Sequence, residues 1–171
     1  MDLESTLVGN RQNQSRNRLE ELKERLTEIA LCYYKGFADN LKGIVNNASF
    51  YLRHPELDRV KKMQHAYEWF RAIEGFYETI PFNKLQSKNE FEPLLKVREL
   101  LPTFRHSLEI TFQTENYDEF RVLDDIRNQI MDKAEIYFDS LMQVLKEIKS
   151  LKPANIEAIV PKNVRGYLDL L

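Results

Sequence analysis

From Ser15 to about Leu52 the apolar residues return every third or fourth position: Leu19, Leu22, Leu26, Ile29, Tyr33, Phe37, Leu41, Ile44, Ala48 and Tyr51. That spacing lines one face of an α-helix. A second run, from Tyr117 to Leu151, repeats it with Phe120, Leu123, Ile126, Ile130, Ala134, Tyr137, Leu141, Leu145 and Ile148. Two helices of roughly 35 residues would each be about 50 Å long. Between them lie two shorter stripes. The first, entered at Pro55, runs Leu57, Val60, Met63, Tyr67, Phe70, Ile73, Tyr77 and Ile80; Trp69 and Phe76 widen it. The second begins near Glu90, with Pro93 in its first turn, and runs Leu94, Val97, Leu101, Phe104, Leu108 and Phe112. Short connections predict antiparallel neighbours. The expected fold is all-α: a four-helix up-and-down bundle with two long outer helices and a short C-terminal appendage. Two α-hairpins stacked side by side would satisfy the same pattern. The expected division is a polar N-terminal lead-in over residues 1–14, a helical bundle over 15–152, and an apolar C-terminal tail over 153–171.

Local punctuation sets the helix ends. Ser15 is the expected N-cap of the first helix. Gly36 and Gly43 lie one heptad apart inside it, each costing about 1 kcal/mol relative to Ala. Such a pair marks either a close helix crossing or a locally weak turn. His54-Pro55 closes this helix, because the residue before proline is pushed out of the helical region. Pro81 stops the second helix, and residues up to Asn89 form a connection. Pro102 predicts a kink in the third helix. The fourth opens with Asp118 and Glu119 and closes with Lys146 and Lys149, which complements the helix dipole, and Pro153 ends it. The tail carries Ile156, Ile159, Val160, Val164, Tyr167, Leu168, Leu170 and Leu171, too many apolar residues for a solvated end. It either folds back over the bundle, the preferred reading, or docks on another chain through Ile159, Val160, Val164, Tyr167, Leu168 and Leu171.

Composition bounds the function. With 43% hydrophobic and 30% charged residues over 171 positions, the chain can bury a core of its own. A net charge of −2 lacks the basic excess of a dedicated nucleic-acid binder. The average conceals a polarity, with 12 Lys/Arg against 8 Asp/Glu from Arg11 to Arg71 and an acidic remainder. The single cysteine, Cys32, excludes an internal disulfide and a cysteine metal cluster, and is expected to be a buried thiol. There is no signal-peptide h-region and no apolar run of membrane-spanning length. The expected location is cytoplasmic, without membrane contact.

Chemistry is sparse. His65 and Glu68, like His106 and Glu109, are spaced i, i+3. Di-metal bundles use the reverse order, Glu-x-x-His, facing the core. Both histidines here fall well off the core stripe, so solvated side chains are expected, with no metal and no cofactor. Phosphate loops, a nucleophile elbow and a zincin motif are absent from the sequence. Arg59 and His65, with five residues between them, resemble the Arg-x(4–6)-His signature of HEPN ribonucleases, which are also small helical bundles. The resemblance covers seven residues, with Val60 where that family often carries a polar residue. It implies that Arg59 would hold the scissile phosphate and His65 would move protons across a dimer interface. Candidate nucleic-acid contacts are Arg11, Arg16 and Arg18 in the lead-in and Arg53, Arg59, Lys61 and Lys62 around His54 in the first loop. Tyr51 and Tyr67 lie nearby to stack on bases.

Three functions follow in order. The first is a non-enzymatic helical subunit or adaptor acting through protein–protein contacts, with another protein or itself as partner. The second is a nucleic-acid-associated subunit of a ribonucleoprotein complex, resembling the small subunits of CRISPR effector complexes in size and helicity. The third is the HEPN-like ribonuclease.

Overall fold

The computed structural model describes residues 3–85 and 91–171, with side chains from residue 11 onward. Residues 86–90, where the third helix was to begin near Glu90, lie outside the described residues. The fold is all-α, and there is no strand among the described residues. Helices α1 (Leu3–Leu31), α2 (Phe37–Arg53), α3 (Arg59–Thr79), α4 (Phe82–Leu85), α5 (Glu92–Thr114), α6 (Tyr117–Ser150) and α7 (Ile156–Ile159) are followed by a 3-10 turn, Lys162–Leu170. The chain divides into two compact units. Unit 1 is the chain up to Tyr33 together with Phe138–Leu171, and unit 2 is Tyr34–Tyr137.

The first long helix is broken. Its expected course, Ser15 to Leu52, is interrupted at residues 32–36, where the backbone closes i→i+3 bonds from Cys32 to Ile29 and from Tyr33 to Ala30. Three aromatic residues, Tyr33, Tyr34 and Phe37, flank this point. The break separates them. Tyr33 joins Phe138 and Tyr167 in unit 1, while Tyr34 stacks on Phe76 and Phe37 meets Tyr77 in unit 2. The two glycines have different roles. Gly36 is the N-cap of α2 at the weak turn. Gly43 marks a close crossing, because a Cβ there would stand 3.2 Å from the Trp69 ring.

Helix α1 starts at Leu3, so residues 3–14 of the expected polar lead-in are helical and Ser15, inside the helix, is not its N-cap. The start of α3 is also displaced, from Pro55 to Arg59. Asp58 caps it, its carboxylate accepting from the amides of Val60 (3.0 Å) and Lys61 (3.3 Å). An aspartate able to satisfy two orphan amides outweighs the first-turn preference of proline. A one-turn helix, α4, occupies part of the expected connection and buries Phe82 and Leu85. Pro93 lies in the first turn of α5, which continues through Pro102.

In unit 2, α2 and α3 run antiparallel: Gly43 faces Trp69, and Asn47 Nδ2 donates to the Lys62 carbonyl at 3.0 Å. Helices α3 and α5 are antiparallel too: Tyr67 lies near Glu109, and Arg105 beside Glu74 at 3.4 Å. Phe70, Ile73, Phe104, Leu108 and Phe112 are fully buried. On α3 the core face is Ala66, Phe70, Ile73 and Tyr77, with Met63 and Tyr67 half-buried on its flank.

In unit 1 the later half of α1 runs antiparallel to the end of α6. Arg18 meets Glu147 at 2.6 Å, and Tyr33 packs near Phe138. Leu22, Leu26, Ile29, Leu141, Leu145 and Ile148 are fully buried, and Cys32 is buried beside them in sequence. The tail folds back onto this pair. Val160 and Val164 are buried, Asn163 Nδ2 donates to the Ala30 carbonyl at 2.9 Å, and Lys149 Nζ donates to the Leu171 carbonyl at 2.9 Å. The Tyr33 and Tyr167 hydroxyls share a hydrogen bond within the aromatic cluster. Burial, and then the bond to Tyr167, push the Tyr33 hydroxyl far above its ordinary value of 10.0. A folded-state value above the unfolded one means the contribution is fully present below pH ~10 and is lost as pH rises beyond it. Tail protection, read by hydrogen exchange, is therefore expected to be constant through neutral pH and to fall above pH ~10. In Tyr33→Phe this alkaline step is expected to shrink.

Candidate functional site

The expected docking set on the tail is divided by folding. Val160 and Val164 belong to the core of unit 1 and are unavailable to a partner; Ile159, Tyr167, Leu168 and Leu171 are half-buried. Their apolar character serves the chain's own packing. Among the basic candidates, Arg11, Arg16 and Arg18 lie on α1 in unit 1, and Arg18 is engaged by Glu21 and Glu147. Arg53, Arg59, Lys61 and Lys62 lie in unit 2 at the α2–α3 corner. The aromatic partners assigned to base stacking are not free to do so. Tyr51 is only 1% exposed, its ring lies near Phe112, and Tyr67 is half-buried. Phe50 is exposed at this corner, but Lys62 Nζ lies 4.7 Å from its ring centroid and the His54 ring stands 4.7 Å away.

Arg59 is the first residue of α3 and His65 lies six residues further on, which separates their directions by about 120° around the helix. Both are exposed, and His65 Nδ1 is 3.7 Å from Glu68 Oε2 on the surface. His106 is exposed as well. Among the described residues no group of three His, Cys, Asp or Glu side chains converges on a metal-sized site. A groove of about 630 Å³ is lined by Tyr77, Glu78, Phe82, Lys84, Arg98 and Pro102, among others; Arg98 lies 4.6 Å from the Phe82 ring centroid. No nucleophile–base pair lines it.

The surface that does concentrate chemistry is the end of unit 2 where α2 finishes, α3 begins, α5 finishes and α6 begins. Two contacts bring these termini together: Tyr51 donates its hydroxyl to Glu115 Oε1 at 2.6 Å, and its ring lies 5.5 Å from that of Phe112. Burial, and then the Glu115 carboxylate, raise the Tyr51 hydroxyl above its ordinary value, while the nearby charge of Arg59 lowers it. Glu115 takes a left-handed conformation (φ 53°) that turns the chain from α5 into α6, and Asn116 caps α6 by accepting from the Asp118 amide at 2.9 Å. Of eight large apolar side chains exposed among the described residues, five stand here: Phe50, Leu57, Val60, Tyr117 and Val122. Exposed apolar side chains scattered singly carry no meaning, whereas a cluster of them does.

Two of the five, Leu57 and Val60, were expected in the core. The α3 start at Arg59 leaves Leu57 in the preceding turn, and Val60, in the first turn of α3, is exposed. A departure from an otherwise regular apolar stripe at its open end was the one available signal. No helix of the described chain is long and apolar enough to cross a membrane. Compared with protein-family models, curated proteins and solved structures, the chain has no significant match to any of them.

Proposed function

We propose that this protein is a non-enzymatic helical subunit that acts through protein contacts, made by the end of unit 2. The observation that carries the reading is the exposure of Leu57, Val60, Tyr117 and Val122 at the helix ends that the Tyr51–Glu115 contact joins. Apolar side chains of this kind in a charged frame resemble the apolar centre and polar rim of a protein interface. Stacking of bases finds less support, because Tyr51 is buried and Phe50 is already engaged by Lys62 and His54.

The test is native mass spectrometry of the tagged protein taken from its own cells, beside the double variant Leu57→Asp, Val60→Asp. Both positions are exposed, so the variant keeps its core. The wild type is expected in an assembly heavier than the 20.4 kDa chain, and the variant is expected to lose it, with affinity reduced at least about tenfold. A wild type found only at its own mass, or an assembly indifferent to both substitutions, would sink the reading.

A further inference from the structure

The surface at the end of unit 2 carries two opposite charges side by side. From Arg53 to Lys62 there are four Lys/Arg against Glu56 and Asp58, a local +2 on the α2–α3 corner. From Glu115 to Arg127 there are five Asp/Glu against Arg121 and Arg127, a local −3 on the start of α6. The Tyr51–Glu115 hydrogen bond joins the two halves. Each half holds part of the exposed apolar cluster, with Leu57 and Val60 on the basic side and Tyr117 and Val122 on the acidic side. Asp118, Val122 and Asp125 follow at steps of four and three, which places them on one exposed stripe of α6.

From this arrangement we infer that the occupant of the surface is a second copy of the chain, related by a two-fold axis. An isologous contact sets one patch against itself, so the basic half of each copy meets the acidic half of the other, twice. The apolar residues then cover one another between the two charge pairings. A polyanion lying across the same surface would meet the acidic half and be repelled by it. The inference deepens the protein-contact reading above and rests on it.

Sedimentation equilibrium of the full chain, at low and high salt, tests it with two charge-reversed variants. Arg59→Glu with Lys61→Glu adds acids to the first turn of α3, which has none, so the helix is favoured rather than weakened. Asp118→Lys with Asp125→Lys reverses the α6 half, and circular dichroism checks that α6 persists. The wild type is expected near twice 20.4 kDa at low salt and to dissociate as salt rises. Each variant alone is expected to self-associate about tenfold or more weakly. An equimolar mixture of the two is expected to recover the dimer, because both pairings are then opposite in sign again.

A monomeric wild type, variants that dimerise as the wild type does, or a mixture that stays monomeric would each overturn the second copy. So would binding of a labelled single-stranded RNA by the monomer that Arg59→Glu with Lys61→Glu abolishes. If the wild type is monomeric yet leaves its cells in a heavier assembly with another polypeptide, the protein-contact reading stands and the second copy falls. If it is monomeric in both measurements, both fall.

Discussion

Phe70→Ala is expected to destabilise unit 2 by about 3–5 kcal/mol. Phe70 has no exposed surface, and its ring stacks on that of Phe104, also fully buried, with centroids 5.7 Å apart. Truncation removes the transfer free energy of the ring and leaves a cavity that α3, held to α2 by Gly43 against Trp69, can close only in part. The loss of the aromatic pair adds to it. A domain of about a hundred residues holds ~5–15 kcal/mol in all, so this one change removes a large share. Trp69 is the only tryptophan in the chain and lies in α3, so its fluorescence during urea unfolding reports on this unit directly. A midpoint shift equivalent to less than ~1 kcal/mol would show that the α3–α5 contact is not the centre of the core.

Val164→Asp has an effect of comparable size with a local readout. Val164 is fully buried where the tail crosses unit 1, and a carboxylate there would be desolvated with no cation assigned to it. Burying such a charge costs several kcal/mol, more than a nine-residue 3-10 turn held by a few hydrogen bonds can absorb. The expected outcome is detachment of residues 160–171, seen as fast hydrogen exchange and early proteolysis in that segment, with helical content elsewhere retained. Asn163 and Tyr167 would then release their partners, Ala30 and Tyr33. Unchanged protection of the tail in this variant would mean that Val164 does not anchor it.

The same residues mark how far the sequence could be read. The stripe through Phe70, Ile73 and Tyr77 and the one through Leu94, Phe104 and Phe112 are both core, because a period of 3.6 fixes which side chains share a face. Helix α6 has nearly its expected length, since no glycine or proline interrupts it and charge suits both of its ends. Boundaries were harder. Nothing local distinguishes Pro55 from Asp58 as the start of α3 until the free amides are counted, and the break after Leu31 depends on which neighbours Tyr33, Tyr34 and Phe37 find. The tail is apolar in sequence, and in the structure its Val160 and Val164 are buried. Which of its residues pack inward could not be read, because irregular turns have no period.

By itself, then, the sequence determined the helices and their buried faces, since periodicity is a property of consecutive residues. It also determined that Gly36 and Gly43 are special, though not that one marks a break and the other a crossing. Only the tertiary structure decided that Val160 and Val164 are core, that Tyr51 is sealed beneath Glu115, and that Leu57 and Val60 are left uncovered. It alone set the basic start of α3 beside the acidic start of α6. Those two segments are more than fifty residues apart in the chain, and their proximity follows from how α2, α3 and α5 pack, which no spacing along the sequence encodes.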